Sequence, residues 1–175
     1  MEREGEMSIL KIRKLGDPIL KKKCEPVKEV SPEIQKLAAD MLETMYAAPG
    51  VGLAASQVGV PVRMCVIDVK PEGKRSPVVL INPKITVKKG KVVEEEGCLS
   101  LPGINAEVVR FDDITVEAIN ENGFPITVTG RDILSRAMQH EIDHLNGRVF
   151  IDHLGWWARR KLMKEIRKKR KQEGW

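Results

Sequence analysis

The residues best suited to chemistry lie in the segment Gln139–Leu145, which contains the pattern His-Glu-X-X-His. On a helix, His140 and His144 leave the same side about one turn apart, and two imidazoles at this separation can chelate one metal ion. Glu141 follows the first histidine, where its carboxylate can reach a metal-bound water and move its proton without being a ligand. Ordinary amphipathic helices also show this spacing by chance, so the pattern alone leaves a metal site and a plain core helix equally open.

A helical projection places the histidines and Glu141 on the apolar side of this helix, so we predict a core helix that carries the chemistry. That side comprises Ile133, Leu134, Ala137, Met138, His140, Glu141, Ile142, His144 and Leu145. Polar residues fill the remaining arc: Ser135, Arg136, Gln139, Asp143 and Asn146. Asp132 is a suitable N-cap, and Asn146-Gly147 is a typical end.

Cys98 is the candidate third ligand, because it lies on a glycine-flanked turn between two predicted strands. A thiolate needs an electropositive setting, which a divalent metal supplies. The alternative is a nucleophilic cysteine with a histidine partner. The three cysteines are an odd number, which argues against a disulfide framework, and we interpret Cys24 as incidental and Cys65 as a buried inert thiol.

The segment Gly50–Gly59 is small, apolar and almost uncharged, which is unusual for a surface loop. Its glycines permit close approach of the backbone to a strand or a ligand, and Gln57 supplies the one side-chain amide. A tight structural turn is the simpler interpretation. A phosphate loop is excluded because no Lys-Ser/Thr follows the glycines.

The remaining pattern predicts an α+β fold, with antiparallel β-sheets packed around a central metal-binding helix, an N-terminal helix and a C-terminal basic helix. The N-terminal helix is predicted from the Ser31-Pro32 cap to about Ala48. The predicted strands are Val62–Val69, Val78–Asn82, Ile85–Lys89, Lys91–Glu94, Ala106–Phe111, Ile114–Ile119 and Phe124–Thr129.

Length and charge predict a single domain at 8–158, with an N-terminal extension at 1–7 and a basic helix at 159–175. That last segment holds nine Lys or Arg and two Glu, so it is either a solvated helix docked through its thin apolar stripe or a partner of a polyanion such as ribosomal RNA. His153 has no ligand spacing and is interpreted as a surface or interface residue. No apolar leader or membrane span is visible, so we expect a cytoplasmic protein with no membrane partner.

Three separate stretches resemble the peptide deformylase family: Gly50–Gln57, Glu96–Ser100 and Gln139–Gly147. They occur in the family's order with similar spacing, and the parts around Ser8–Pro18 and the helix from Ser31 are also similar. The resemblance implies that Cys98, His140 and His144 bind the metal. It also implies Fe²⁺ as the native ion, replaceable by Zn²⁺, Ni²⁺ or Co²⁺, whereas ligand type alone would favour zinc.

The reaction implied by the resemblance is hydrolytic removal of the N-formyl group from the N-terminal methionine of newly synthesised proteins, a co-translational step of protein biosynthesis. A metal-bound water is then the nucleophile, and Glu141 is the general base and later the acid. The Gln57 side-chain amide and the Leu99 backbone N–H are implied as donors to the developing oxyanion.

N-formyl-methionyl nascent polypeptides are thus the expected partners. Backbone near Val51, Gly52 and Gly97 would pair with the extended peptide as an added strand. Ile133 and Ala137 project on the side of His140 and are expected to line the methionine pocket, with Val51 as a further candidate. Some members of the family carry a basic residue where Ile104-Asn105 stands here, which leaves the preference beyond methionine open.

Two other functions fit part of the pattern. A metal-stabilised RNA-binding module would use the same Cys and two His, but a structural metal site needs no base such as Glu141. Another HExxH-type metallopeptidase would need a third ligand downstream of the helix, and no downstream His or Glu suits that role as well as Cys98.

Overall fold

The computed structural model describes residues 8–175, so the predicted extension at 1–7 lies outside it. The α-helices of the described chain are α1 (Pro32–Ala47), α2 (Asp132–Leu145) and α3 (Trp156–Glu173). A five-stranded antiparallel sheet has the order β1-β2-β3-β6-β7, and β4 and β5 form a separate hairpin. The strands are β1 (Gly52–Ala54), β2 (Met64–Ile67), β3 (Val78–Lys89), β4 (Val92–Cys98), β5 (Leu101–Arg110), β6 (Asp113–Ile119) and β7 (Pro125–Arg131). The predicted α+β fold is confirmed.

Strand β2 is buried on both faces because α1 and α2 cover opposite sides of the larger sheet. Side chains alternate along a strand. Met64 and Val66 accordingly pack with α1, while Cys65 and Ile67 pack with α2. The apolar side of α2 therefore packs on the face of the larger sheet that carries Cys65 and Ile67.

The hairpin β4–β5 is held by a third apolar cluster, in which Ile104 and Val108 of β5 pack with Phe150 and with Ile166 of α3. Helix α3 begins at Trp156, before the predicted Arg159, and the stripe residues next to Ile166 are partly buried in the same cluster. No helix among residues 8–175 is long and apolar enough to span a bilayer.

Several element boundaries differ from the predictions. The two strands predicted at Val78–Asn82 and Ile85–Lys89 form the single strand β3, which continues through Asn82-Pro83 by an irregularity in its pairing with β6. Asn82 adopts a φ of 52°, and its side chain exchanges two hydrogen bonds of 2.8 Å with the backbone of Val27. Hydrogen bonds to Val27, which lies outside the strand, thus stabilise an irregularity that would otherwise end it.

The glycine-rich segment contains a strand that the sequence did not predict. Residues Gly52–Ala54 form β1, an edge strand, and Ala55–Val58 form one 3₁₀ turn, all of it buried. The start of α2 also differs: Arg131 is the flanking residue and Asp132 is the first helical one. Strand β7 runs directly into α2, so no separate capping residue lies between them.

Candidate metal centre and catalytic cleft

The structure brings the side chains of Cys98, His140 and His144 to one point. Cys98 ends β4, and both histidines project from α2. The Cys98 Sγ lies 3.3 Å from His144 Nε2, which lies 3.3 Å from His140 Nε2. All three ligand atoms fall within 4.8 Å of one another. One thiolate and two imidazoles so arranged fit a metal ion that keeps a fourth position for water.

The electrostatics of this cluster favour the ligating form of the cysteine. Burial alone would raise the pKa of the Cys98 thiol, but the imidazoles of His144 and His140 outweigh burial and hold the pKa well below its ordinary value. Because the thiolate is the form that binds metals, Cys98 is prepared for this role.

His140 is oriented by a buried ion pair that the sequence reasoning missed. Its Nδ1 lies 3.0 Å from Glu96 Oε2, and Arg110 donates to both carboxylate oxygens of Glu96 at 2.6 and 3.0 Å. Burial would raise the pKa of Glu96, yet the bonds from Arg110 and His140 lower it to about 2. With Nδ1 engaged, His140 presents Nε2 to the centre. The alternation of β4 places Glu96 on the face of Cys98 and could have indicated it, whereas nothing pointed to Arg110.

The same arginine continues to the far side of α2. Arg110 donates to Asp143 at 2.6 Å, and His153 Nε2 lies 2.7 Å from the same Asp143 oxygen. His153 is exposed, as predicted for a surface histidine, but it also belongs to this network. Asp143 therefore links α2 to the hairpin and to the segment that precedes α3.

Glu141 is the buried carboxylate beside the metal cluster, with 4% of its surface exposed. Burial raises its pKa to about 7, against the lowering effect of the two histidines. Its Oε2 has no hydrogen-bond partner among the described residues. Gly52 backs the other oxygen so closely that a Cβ there would lie 2.5 Å from Oε1. A carboxylate with this pKa can both accept and donate a proton near neutrality.

Gln57 is fixed with its amide N–H₂ toward the cluster. Its Oε1 accepts from the Ala54 backbone N–H at 2.9 Å, and its Nε2 donates to Ser100 Oγ at 3.1 Å. The same Nε2 lies 3.5 Å from Cys98 Sγ. Ser100 is a further site residue that had been given no role. The glycine-rich segment is thus both the tight structural turn and the support of a donor.

A cleft of about 780 Å³ opens beside these groups. Every residue predicted to bind substrate lies on it, as do Gln57, Leu99, Cys98, His140 and Glu141, whereas His144 lies beneath. The predicted substrate-binding residues there are Val51, Gly52, Gly97, Ile133 and Ala137. Val51 and Ile133 are 44% and 45% exposed, so apolar surface faces the opening. Lys14, Arg136 and Glu95 add charge to the wall.

A Cys/His₂ cluster that could hold a metal ion, beside a buried carboxylate on an open cleft, is the arrangement of a metal-dependent hydrolase. Residues 9–160 match the sequence model of the family described as polypeptide deformylase. The chain belongs to this family, as its three motifs predicted.

Individual relatives agree over nearly the whole chain. A peptide deformylase of Endomicrobium trichonymphae is 49% identical over 169 residues, covering 97% of this chain and 100% of that protein. The crystal structure of a peptide deformylase from Legionella pneumophila superposes with a TM-score of 0.89 at 41% identity, covering 95% of this chain and 98% of that one. The crystal structure of the peptide deformylase from Ehrlichia chaffeensis in complex with actinonin superposes with a TM-score of 0.88 at 41% identity, covering 93% of this chain and 98% of that one.

Proposed function

We propose that this enzyme hydrolyses the N-formyl group of the N-terminal formyl-methionine of nascent polypeptides. The observation that carries the proposal is the buried Glu141 carboxylate beside the Cys98, His140 and His144 cluster, on the wall of a cleft. Family membership supports the same reaction. Neither the RNA-binding module nor another HExxH-type metallopeptidase gains support from these observations.

A metal ion held by Cys98, His140 and His144 would act as a Lewis acid that acidifies water and polarises the formyl oxygen. Fe²⁺ is the native ion in this proposal, on the strength of the family resemblance, with Zn²⁺, Ni²⁺ or Co²⁺ able to replace it. Metal analysis of enzyme purified without oxygen, combined with a formyl-Met-Ala assay on the same sample, tests the identity of the ion.

Each remaining residue has a role that follows from its position. Glu141 accepts the proton of the attacking water and later delivers it to the departing amine, for which a pKa near neutrality is suited. Gln57 Nε2 and the Leu99 backbone N–H donate to the oxyanion that develops on the formyl oxygen. Burial of Glu141 beneath Gly52 keeps bulk water from competing for its proton.

The cleft provides the substrate site in this proposal. Backbone at Val51, Gly52 and Gly97 pairs with the extended peptide, and a side chain at Gly97 would meet Asn105 Oδ1 at 2.5 Å. Ile133 and Ala137 form the wall of the methionine pocket. Because formylated chains are made where translation begins, the enzyme works in the cytoplasm.

Replacement of Glu141 by Gln tests the mechanism. The side chain keeps its shape but loses the base, so kcat on a formyl-Met peptide is expected to fall by about 10² to 10⁴. Metal content should match that of the wild type. A variant that retains both metal and more than a third of wild-type kcat would exclude Glu141 as the base.

The second part of the proposal concerns ribosomal RNA as a partner of α3. This helix exposes eight Lys or Arg side chains and two large aromatic rings, Trp156 and Trp157, which are 60% and 77% exposed. Such a surface suits the phosphate backbone of RNA. The exposed cations are Arg159, Arg160, Lys161, Lys164, Arg167, Lys168, Arg170 and Lys171.

Charge reversal separates this contact from the fold. Lys164→Glu with Lys168→Glu should abolish co-sedimentation with ribosomes at low salt, because both side chains are exposed. The matched control, Lys21→Glu with Lys22→Glu, carries the same charge change on an exposed segment elsewhere. If both double variants sediment as the wild type does, α3 is a solvated helix.

A further inference from the structure

One short segment near the N-terminus joins the two parts of the chain that carry the proposed oxyanion donors. The Arg13 N–H donates to the Gln57 carbonyl at 2.7 Å, and the Leu15 N–H donates to the Ser100 carbonyl at 2.9 Å. Between them, Lys14 Nζ donates to the Leu99 carbonyl at 2.8 Å. Three consecutive residues therefore connect the turn after β1 to the turn between β4 and β5.

These contacts affect the distance between the two proposed oxyanion donors, Gln57 and Leu99. Gln57 lies on the 3₁₀ turn Ala55–Val58, and Leu99 lies in the tight connection after Cys98. The direct link between these turns runs from Gln57 Nε2 to Ser100 Oγ and Cys98 Sγ, so it engages the Gln57 amide itself. The link through residues 13–15 instead holds the backbone of both turns and does not use the Gln57 amide.

Lys14 acts on the orientation of the Leu99 peptide groups. Its ammonium fixes the Leu99 carbonyl, while the following Ser100 N–H is directed at Cys98 Sγ at 3.4 Å. The Leu99 carbonyl and the Ser100 N–H belong to one peptide group, which these two bonds hold. The preceding peptide group, which carries the Leu99 N–H, lies between this held group and Cys98, which pairs with Leu101 at the end of β4. A bond from a charged ammonium to a carbonyl is stronger and more directional than a neutral one.

We propose that Lys14 is a positioning residue for deformylation, which holds the Leu99 N–H in line with the Gln57 amide at the oxyanion site. This inference rests on the proposed function. Lys14 also lies on the cleft wall, so the competing role is direct contact with the peptide. The two roles differ in kinetics, because an oxyanion donor acts mainly in the transition state, whereas a peptide contact acts in binding.

The kinetic test compares Lys14→Met with Lys14→Arg and Lys11→Met. Met keeps the length of the stem without a donor, Arg restores a cationic donor, and Lys11 is an exposed lysine of the same segment. For Lys14→Met we expect kcat to fall about tenfold with KM within twofold, a smaller loss than the roughly 10²–10³ for removing a donor outright. Lys14→Arg should recover most of kcat, and Lys11→Met should equal the wild type.

Two results would overturn the proposal. A Lys14→Met enzyme with the kcat of Lys11→Met shows that the contact is dispensable, and a loss confined to KM shows that Lys14 binds the peptide. Metal content and thermal midpoint are measured for each variant, so that a loss of metal or of fold is recognised. Lys14→Leu, which also lacks a donor, replaces Lys14→Met if the latter fails to fold.

A structural readout keeps this test independent of the reaction. Amide hydrogen exchange in the peptide covering residues 97–101 should accelerate in Lys14→Met and stay unchanged in Lys11→Met. If the wild type fails to deformylate, the proposed function fails while the exchange still tests the contact. If the wild type is active and Lys14→Met shows wild-type turnover and exchange, the positioning role alone is refuted.

Discussion

The close approach of Gly52 to Glu141 gives a sharp prediction for Gly52→Ala. The new Cβ would lie 2.5 Å from Glu141 Oε1 and 2.9 Å from both Cδ and Cγ, whereas ordinary contacts begin at 3.4 Å. The carboxylate must therefore move by about 1 Å, and a misplacement of that size costs on the order of 10² in kcat. Alanine can adopt the backbone of Gly52, whose φ is not positive, so the effect is steric. Steady-state deformylation of a formyl-Met peptide measures it.

The control for this experiment is Gly155→Ala, because a Cβ at Gly155 meets nothing within 4 Å. It should leave kcat unchanged. A second arm uses stability: Gly52→Ala should lower the free energy of unfolding by about 1–3 kcal/mol. Glu141→Ala removes the opposing atoms, so Gly52→Ala should then have little further effect. The steric reasoning is refuted if Gly52→Ala keeps more than a third of wild-type kcat, or destabilises both backgrounds equally.

Two further predictions concern stability. Arg110→Met leaves the Glu96 carboxylate buried without its bidentate partner, so urea denaturation should show that the free energy of unfolding falls by about 3–5 kcal/mol. Adding Glu96→Gln should restore part of this loss. A loss below about 1 kcal/mol would contradict the role of the ion pair. Asp40 accepts hydrogen bonds from Lys36 and from Ser8, which outweigh the effect of burial and lower its pKa from the ordinary value of 3.8. Its stabilising effect is thus complete above about pH 5 and is lost as pH falls through the lowered pKa, so Asp40→Asn should cost about 1–2 kcal/mol at pH 7 and progressively less in acid. A cost that does not change with pH would refute this linkage.

Local signals predicted the elements whose cause is local. The Ser31-Pro32 start of α1 is confirmed, since Ser31 Oγ accepts from the Ile34 N–H at 3.4 Å. The position of α2 and its end at Asn146 also follow from periodicity and capping residues. Strand β3 was predicted as two separate strands, and the Asn82-Pro83 step between them is a typical strand break. The hydrogen bonds that stabilise the continuous strand at this step join Asn82 to Val27, which is 55 residues away. A local sequence pattern cannot predict such a distant contact.

Strand β1 was missed for a related reason. Glycine and alanine have no preference for extended structure, so the chain at Gly52–Ala54 becomes a strand through pairing with β2 alone. The chemical importance of this segment was still visible from its composition and from Gln57. Its most specific function, to let β1 approach the Glu141 side chain, depends on where α2 lies, which the sequence alone does not indicate.

The polar side of α2 shows why the fold and the site depend on the same contacts. Two residues of the polar arc, Ser135 and Gln139, are buried, and both donate to the carbonyl of Phe111, the residue after β5. One turn later, Asp143 binds Arg110 at the end of β5. These bonds fix the hairpin along the length of the helix.

The hairpin carries Cys98 and the helix carries His144, so their docking determines the distance between two candidate ligands that are 46 residues apart. An ordinary apolar interface between the helix and the hairpin could slide with little loss of free energy, because apolar contacts are not directional. Buried hydrogen bonds and ion pairs do not allow such sliding without exposing an unpaired charge. The buried polar residues of α2 thus fix the position of the hairpin, as the proposed three-ligand metal centre requires.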